Sequence, residues 1–596
     1  MISGIGSSAI GAAWFHPGVR SAGIGEGAAG VVDLQSRRAS GAGELNAQAD
    51  LSLMTTGLAL DQRILDGRAG WTLAGRRTYL DWLADLARRA AGREDDAFPY
   101  GFSEVAGRVD AWLGESTSAE VSWLWEADEL SSAPGTDLEP FGARWGNTLG
   151  RATINTRLGG LDVRHTLAGS RHHGLVEKDP DGHIPDAPIT RRLSETSVEY
   201  VALSGSVSPE PVALSGPAWS VGYALERHST GYFGPHALGV PRSLRSVQPT
   251  IGEASSSGGP LWWNTTLPMV SLWGERGWSL DERLSVRTGL RLEASEAVAN
   301  GGSVRPSPRV SARFSPLPEV AVSAGLGRVY QYTQALAPGG VHLASLISTD
   351  VWLLAGPAVP AIRADMATLG LETWVAPTRV AAVNAFARRA TGVALPDPRP
   401  GPVFDSTKAV FVTGENVAYG VEASVRQLAG PITGTAAYTL TRSQIDAAGL
   451  TYTSAAERTH VFDATAMVRA APSLRLGAAF TAATGVPFTR TIADEDECRN
   501  EPGCDPSRLP WAGDPNGVRA SAFASLDLLA DWTAPLRGGE VGVYIQLRNV
   551  LGRDNGTVYV GDDPGCLGVG CGQGSLQNLY ERGVPRLPVI GIRARR

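Results

Sequence analysis

The stretch "AEVSWLWEAD", Ala119 to Asp128, puts Ala119, Val121, Trp123, Trp125 and Ala127 on one side of an extended chain and Glu120, Ser122, Leu124, Glu126 and Asp128 on the other. A period of two is the mark of a strand with one apolar and one polar face. It recurs in "ELNAQADLSL" (Glu44 to Leu53), "LSVRTGLRLEA" (Leu284 to Ala294), "LRLGAAFTA" (Leu474 to Ala482) and "VGVYIQLR" (Val541 to Arg548), so one pattern runs the length of the chain. The 72 glycines and 38 prolines form neither a collagen period nor a low-complexity block, and read as turns between many strands. The fold class is therefore all-β.

A soluble sandwich alternates in the same way, because one face meets a core and the other meets water. The connections separate the two. "GESTSAE" (Gly114 to Glu120) and "LAGPITG" (Leu428 to Gly434) are short, whereas 172–192, 227–269, 390–416, 487–519 and 553–586 are long and polar. Strands of about nine to eleven residues, joined by tight turns at one end and long loops at the other, describe an antiparallel transmembrane β-barrel. Such a sheet closes on itself, since an open edge in hydrocarbon leaves backbone groups unpaired. The polar rows then face the bore, and Arg287, Arg291, Glu293, Arg475 and Gln546 are the candidate lumen-facing polar residues, expected to border water or a plug and to need no buried partner. Arg287, Arg291 and Arg475 offer attraction for an anionic ligand; pairing with Glu293 or Glu422 is the simpler reading. Trp71, Tyr79, Trp112, Trp278 and Trp532 lie near strand ends, where interfacial girdles form, although ordinary strand content accounts for any single one.

Totals exclude several classes. With 596 residues and a formal charge of −7, the chain lacks the basic excess that a nucleic-acid partner demands. No run approaches the eighteen or so apolar residues of a membrane helix. The opening "MISGIGSSAIGAAWFHPGVR" has no positive region ahead of its apolar patch at 9–13, so it does not read as a secretory signal. Cysteines come in two close pairs, Cys498 with Cys504 and Cys566 with Cys571, in Gly/Pro/Asp-rich segments, which suits loop disulfides in an oxidising compartment; a four-cysteine zinc site is the rival. His172, His173 and His183 stand in one loop with Asp179, Asp181 and Asp186, a set able to hold a metal or a chelate, or simply a solvated loop. "DEDEC" (Asp494 to Cys498) lacks the spaced ligands of a calcium loop. Hydrolase, zinc-protease and P-loop motifs are missing, and neither catalysis nor a cofactor is expected.

Read in order, several segments resemble a TonB-dependent outer-membrane receptor: "GEGAAGVVDL" (Gly25 to Leu34), "GRRTYLDWL" (Gly75 to Leu83), "PYGFSEVAGRVD" (Pro99 to Asp110), the stretch Pro306 to Gln334, "ENVAYGVEASVR" (Glu415 to Arg426), "ERTHVFDATAMVR" (Glu457 to Arg469), "AATGVPFT" (Ala482 to Thr489) and "LRNVLGRDN" (Leu547 to Asn555). The resemblance implies a barrel of about twenty-two strands around an N-terminal plug. Residues 1–40 then correspond to the C-terminal remnant of the plug and its link to the barrel, and 41–596 to the barrel with long extracellular loops. "GEGAAGVVDLQSR" becomes a glycine turn followed by the last, buried strand of a plug whose start, with the segment gripped by TonB, is expected to lie outside this chain. The final "RLPVIGIRARR" departs from the family in ending on Arg596 rather than on an aromatic residue. The resemblance implies active uptake of a scarce ligand (an iron chelate, cobalamin, a glycan or a peptide) across the outer membrane of a Gram-negative-type bacterium, by a monomer in contact with lipid and TonB. A plug-less passive channel and a soluble β-rich binding protein are the alternatives.

Overall fold

The computed structural model describes residues 6, 8–40, 43–79, 100–131, 141–178, 192–209, 218–234, 261–296, 304–336, 351–357, 359–402, 411–492, 494–509, 511–562, 576–581, 583 and 585–596. Twenty-two antiparallel strands, from Asn46–Ser52 to Leu587–Arg595, form one closed barrel. Closure is direct: the first strand pairs with the last, Gln48 opposite Arg595 and Ser52 opposite Gly591. No backbone edge is left to the bilayer.

Connections alternate by end. At one rim the strands turn tightly, as at 159–160, 318–319, 377–378, 472–473 and 537–538; at the other they open into 79–99, 179–191, 235–260, 484–522 and 549–586. The turn between Leu158 and Leu161 shows how tightness is achieved. Gly159 and Gly160 have φ of +58° and +79°, the paired left-handed conformation of a type I′ hairpin, which a side chain opposes. By the usual polarity of such barrels the turn rim is periplasmic and the loop rim extracellular. Strands are longer than the nine to eleven residues expected: Phe141–Leu158 has 18 and Leu261–Ser279 has 19. A bilayer needs only about ten tilted residues, so the excess stands above it as wall.

The outer face is a belt of exposed apolar side chains. Val121, Ile154, Leu167, Val201, Leu272, Leu290, Leu369, Val421, Leu476, Ile545 and Ile592 all lie on it. An apolar surface of this extent in water exceeds what soluble monomers expose, and a bilayer removes the cost. Trp112, Trp278, Trp374 and Trp532 are exposed near the turn rim, with Trp71 on the neighbouring strand, giving that interface an aromatic ring. Tyr79 sits at the opposite rim.

Two strands lie apart from the wall. Ile10–His16 and Val31–Ser36 pair antiparallel, with Trp14 opposite Asp33 and Phe15 opposite Val32. Residues 10–13 of the stretch read above as an apolar patch are therefore the start of a strand. The strand after the glycine turn is not buried as expected: Val32 is 61% exposed, and its partner Phe15 in the preceding strand 64%. A two-stranded ribbon has too few neighbours to cover its faces.

Candidate functional site

Residues 6–40 run through the bore. At one side Gly6 N–H donates to both carboxylate oxygens of Glu104, at 2.6 and 2.9 Å, Arg37 pairs with Asp61 at 3.1 Å, and Arg108 donates to Ser36 Oγ at 3.0 Å. At the other side Ser21 Oγ and Ala22 N–H donate to Glu275, at 2.9 and 3.0 Å, Ala28 N–H donates to Gln331 at 2.9 Å, and Arg388 reaches Ala28 O. Five strands separate these two stretches of wall in one direction round the barrel and eight in the other. A segment bound to both arcs crosses the lumen.

The crossing is tied by guanidinium groups. Arg20 donates to the carbonyls of Gly25, Glu26 and Gly27 at 3.0, 2.7 and 2.9 Å, folding the chain back on itself. Gly27, at φ +110°, permits that reversal, since a Cβ there would lie 2.9 Å from Gly30 O. Arg309, from the strand Val304–Leu317, donates to the carbonyls of Ser21 and, at 2.8 Å, Ile24. Arg291 lies flat against Gly25, 3.0 Å from where a Cβ would stand. Between these cations sit three carboxylates, Glu26, Glu226 and Glu293; Arg291 meets Glu293 at 2.8 Å and Glu226 at 3.4 Å. Burial pulls the Arg20 guanidinium below its usual range, against the raising charge of Glu293. Burial also lifts the Glu26 carboxyl to about 7, with the neighbouring Glu226 and Glu293 raising it further, while the Tyr332 N–H bond and Arg291 oppose the shift.

Above the crossing, an extracellular connection folds inward. Thr333–Leu336 pairs with Val351–Leu354, and its Leu336, Val351 and Leu353 pack on Tyr232 and Ala394 of the wall. Leu354 and Ala355 pack with Tyr332, Leu267 and Met269. Buried Gln334 fixes the hairpin to the strand Arg379–Leu395: its amide donates to Gly392 O at 3.1 Å and its oxygen accepts from Ala394 N–H at 2.8 Å. The hairpin's stem thus covers the loop end of the bore on this side.

The predicted residues separate into three environments. Arg291 and Glu293 lie on the inward row but do not border water: they are 3% and 1% exposed, because the crossing segment covers them and they neutralise each other. This corrects the expectation that the inward charges need no buried partner. Arg287 pairs with Glu275 at 3.1 Å, and Arg475 with Asp531 at 2.7 Å rather than with Glu422, so none of the three arginines is a bare anion trap. Gln546 shares the inward row of Tyr544 and is half-buried. Cys498 and Cys504 are joined by a disulfide beside the short helix Glu495–Arg499, which Asp494 caps by accepting from Glu497 N–H. Cys566 and Cys571 fall outside the described residues, as do Asp179, Asp181, His183 and Asp186. His172 and His173 belong to the strand Leu161–Lys178, not to a loop; as neighbours on a strand they face opposite sides, one meeting Asn147 and the other Glu195. They do not converge on one ion.

Sequence reading missed Arg20, Glu26, Arg309 and Gln334. Only the arginine and glutamate within a glycine-rich stretch, "RSAGIGEG", hinted that charges there serve backbone rather than solvent.

Comparison with known proteins agrees with this architecture. No curated protein sequence matches the chain. Solved structures share its fold: the siderophore receptor PirA from Acinetobacter baumannii, at 10% identity and a TM-score of 0.64, over 99% of this chain and 85% of that one; a mutant of the ferric enterobactin receptor PfeA from Pseudomonas aeruginosa, at 13% and 0.62, over 97% and 84%; and BauA, the ferric preacinetobactin receptor from Acinetobacter baumannii, at 14% and 0.62, over 95% and 82%. The model of the TonB dependent receptor-like β-barrel matches residues 55–550. The chain belongs to the TonB-dependent receptor family.

Proposed function

We propose that the protein imports an iron chelate across the outer membrane, with residues 1–40 acting as part of a plug that closes the bore. The observation that carries this reading is the crossing itself. Glu104 and Asp61 hold residues 6–40 on one arc of wall while Glu275, Arg309 and Gln331 hold them on the other. A passive pore gains nothing from an obstruction fixed at both sides, whereas a pump that moves the obstruction on demand requires one. The iron-chelate class is favoured because the similar solved structures include siderophore and ferric enterobactin receptors. TonB is the proposed energy-coupling partner and the monomer the proposed working unit, with Cys566–Cys571 as a second loop disulfide. The chain is proposed to have no enzymatic activity.

Radiolabelled iron offered with a panel of chelates to cells carrying or lacking this protein tests the reading. Uptake that needs both the protein and an intact TonB system is expected. Large steady conductance in planar bilayers, with no energised uptake of any chelate, would establish the passive-channel alternative instead.

A further inference from the structure

The crossing segment meets the base of the inward hairpin at Gln331 and Tyr332. Tyr332, the residue between the strand Val320–Gln331 and the hairpin, donates its backbone N–H to Glu26 Oε1 at 3.0 Å. One residue earlier, Gln331 accepts from Ala28 N–H at 2.9 Å and donates to Thr333 O at 2.8 Å. Glu26 and Gln331 therefore bind the crossing segment to the very base of the hairpin, where a hinge motion would act.

From this geometry we propose that Glu26 is a positioning residue that latches the crossing segment to the base of the paired strands Thr333–Leu336 and Val351–Leu354, so that lifting this pair and loosening the segment are one event. The proposal rests on the transport reading only for its purpose; the latch itself is a property of the unliganded chain.

A carboxylate is an unusual choice at this place. Glu226 faces it from the strand Trp219–Gly234, Glu293 and Arg291 from Leu284–Ser295, and Tyr200 from Arg192–Pro209. Arg309 enters from Val304–Leu317, and Arg20 lies on the crossing segment itself. Three acids share the space, and the charged form of Glu26 is the one that burial and its acidic neighbours disfavour. The sign follows. A docked pKa of about 7 against an ordinary 4.5 means that the latched state binds the proton more tightly than the released state. Latching is strongest below the released value, weakens as pH rises between the two values, and is weakest above about 7. The span corresponds to a change of about two orders of magnitude in the latching equilibrium.

Spin labels at Ala13→Cys on the crossing segment and Ala335→Cys on the hairpin report the two elements together, in the full chain refolded into lipid vesicles. Wild-type Glu26 is expected to give one narrow distance distribution at pH 5 and a broadened one at pH 8. Glu26→Gln keeps the acceptor oxygen without the charge, and should stay narrow at both. Glu26→Ala removes the acceptor, and should be broad at both. Gln and Ala variants that behave alike, or a Gln variant that keeps the wild-type pH response, would overturn the latch. No ligand and no energy source enters the measurement, so failed iron uptake would leave this result standing, and a failed latch would leave uptake untouched.

Discussion

The inner wall has arcs of two unlike kinds. From Thr55–Ile64 to Tyr100–Trp112, and again from Leu261–Ser279 to Arg379–Leu395, buried inward charges meet the crossing segment: Glu104, Asp61 and Arg309 hydrogen-bond to it and Arg291 packs on it. From Val412–Gln427 to Leu474–Ala483 several inward polar residues are exposed, Glu422, Asp463, Thr465 and Arg475 being open to the bore. The sheet, the period and the lipid-facing rows are the same in both. What differs is the occupant: where a backbone lies against the wall, each charge has a specific carbonyl or amide to satisfy, and where none does, water suffices. The arcs divide holding from hydration.

The sharpest break of this contrast is removal of the occupant. A chain starting at Gly41 keeps every barrel strand, and by this account turns the holding arc into a second hydrated one. Single-channel conductance in planar bilayers should rise several-fold over the whole chain. Equal conductance would mean that residues 6–40 do not obstruct the bore, and the division between the arcs would lose its meaning.

Arg309→Ala is the next largest effect. It removes the charge-assisted donor to Ser21 O and Ile24 O and leaves those carbonyls short of a partner in a buried site, at a cost of roughly 3 kcal/mol to docking. Trypsin cleavage after Arg20 and Arg37 samples the undocked population and should accelerate by about a hundred-fold. Arg309→Lys, with a single ammonium in place of a fork, should fall between. Unchanged cleavage would show that the carbonyl contacts contribute little.

The barrel was legible in the sequence because its determinant is local. In "AEVSWLWEAD" each residue's face follows from its neighbour's, and Val121, Trp123 and Trp125 do emerge on the lipid side. The holding arc was not, because its bonds join residues hundreds apart: Ser21 to Glu275, Ala28 to Gln331. Arg291 and Arg475 occupy equivalent places in the alternation, yet one is sealed and the other is half exposed. No pattern along the strand distinguishes them, since the difference lies in what a remote segment covers. His172 and His173 were misread for another reason. The strand continues well above the bilayer, where polar residues on both faces erase the alternation that would have revealed it.

The smallest expected effect tests exposed inward charges where the open arc meets the covered one. Arg426 faces Glu372 at 3.6 Å, and Glu372 also meets Arg313 at 3.7 Å, with all three side chains about half exposed near the turn rim. Water screens such pairs and both long side chains lose freedom in forming them, so Arg426→Ala should cost under about 1 kcal/mol. Heat-modifiability of the folded barrel on gels should be unchanged within error, and trypsin cleavage after Arg20 should match wild type. A loss as large as that from Arg309→Ala would mean that exposed inward charges hold structure as firmly as the covered ones, and that their exposure does not mark a wetted wall.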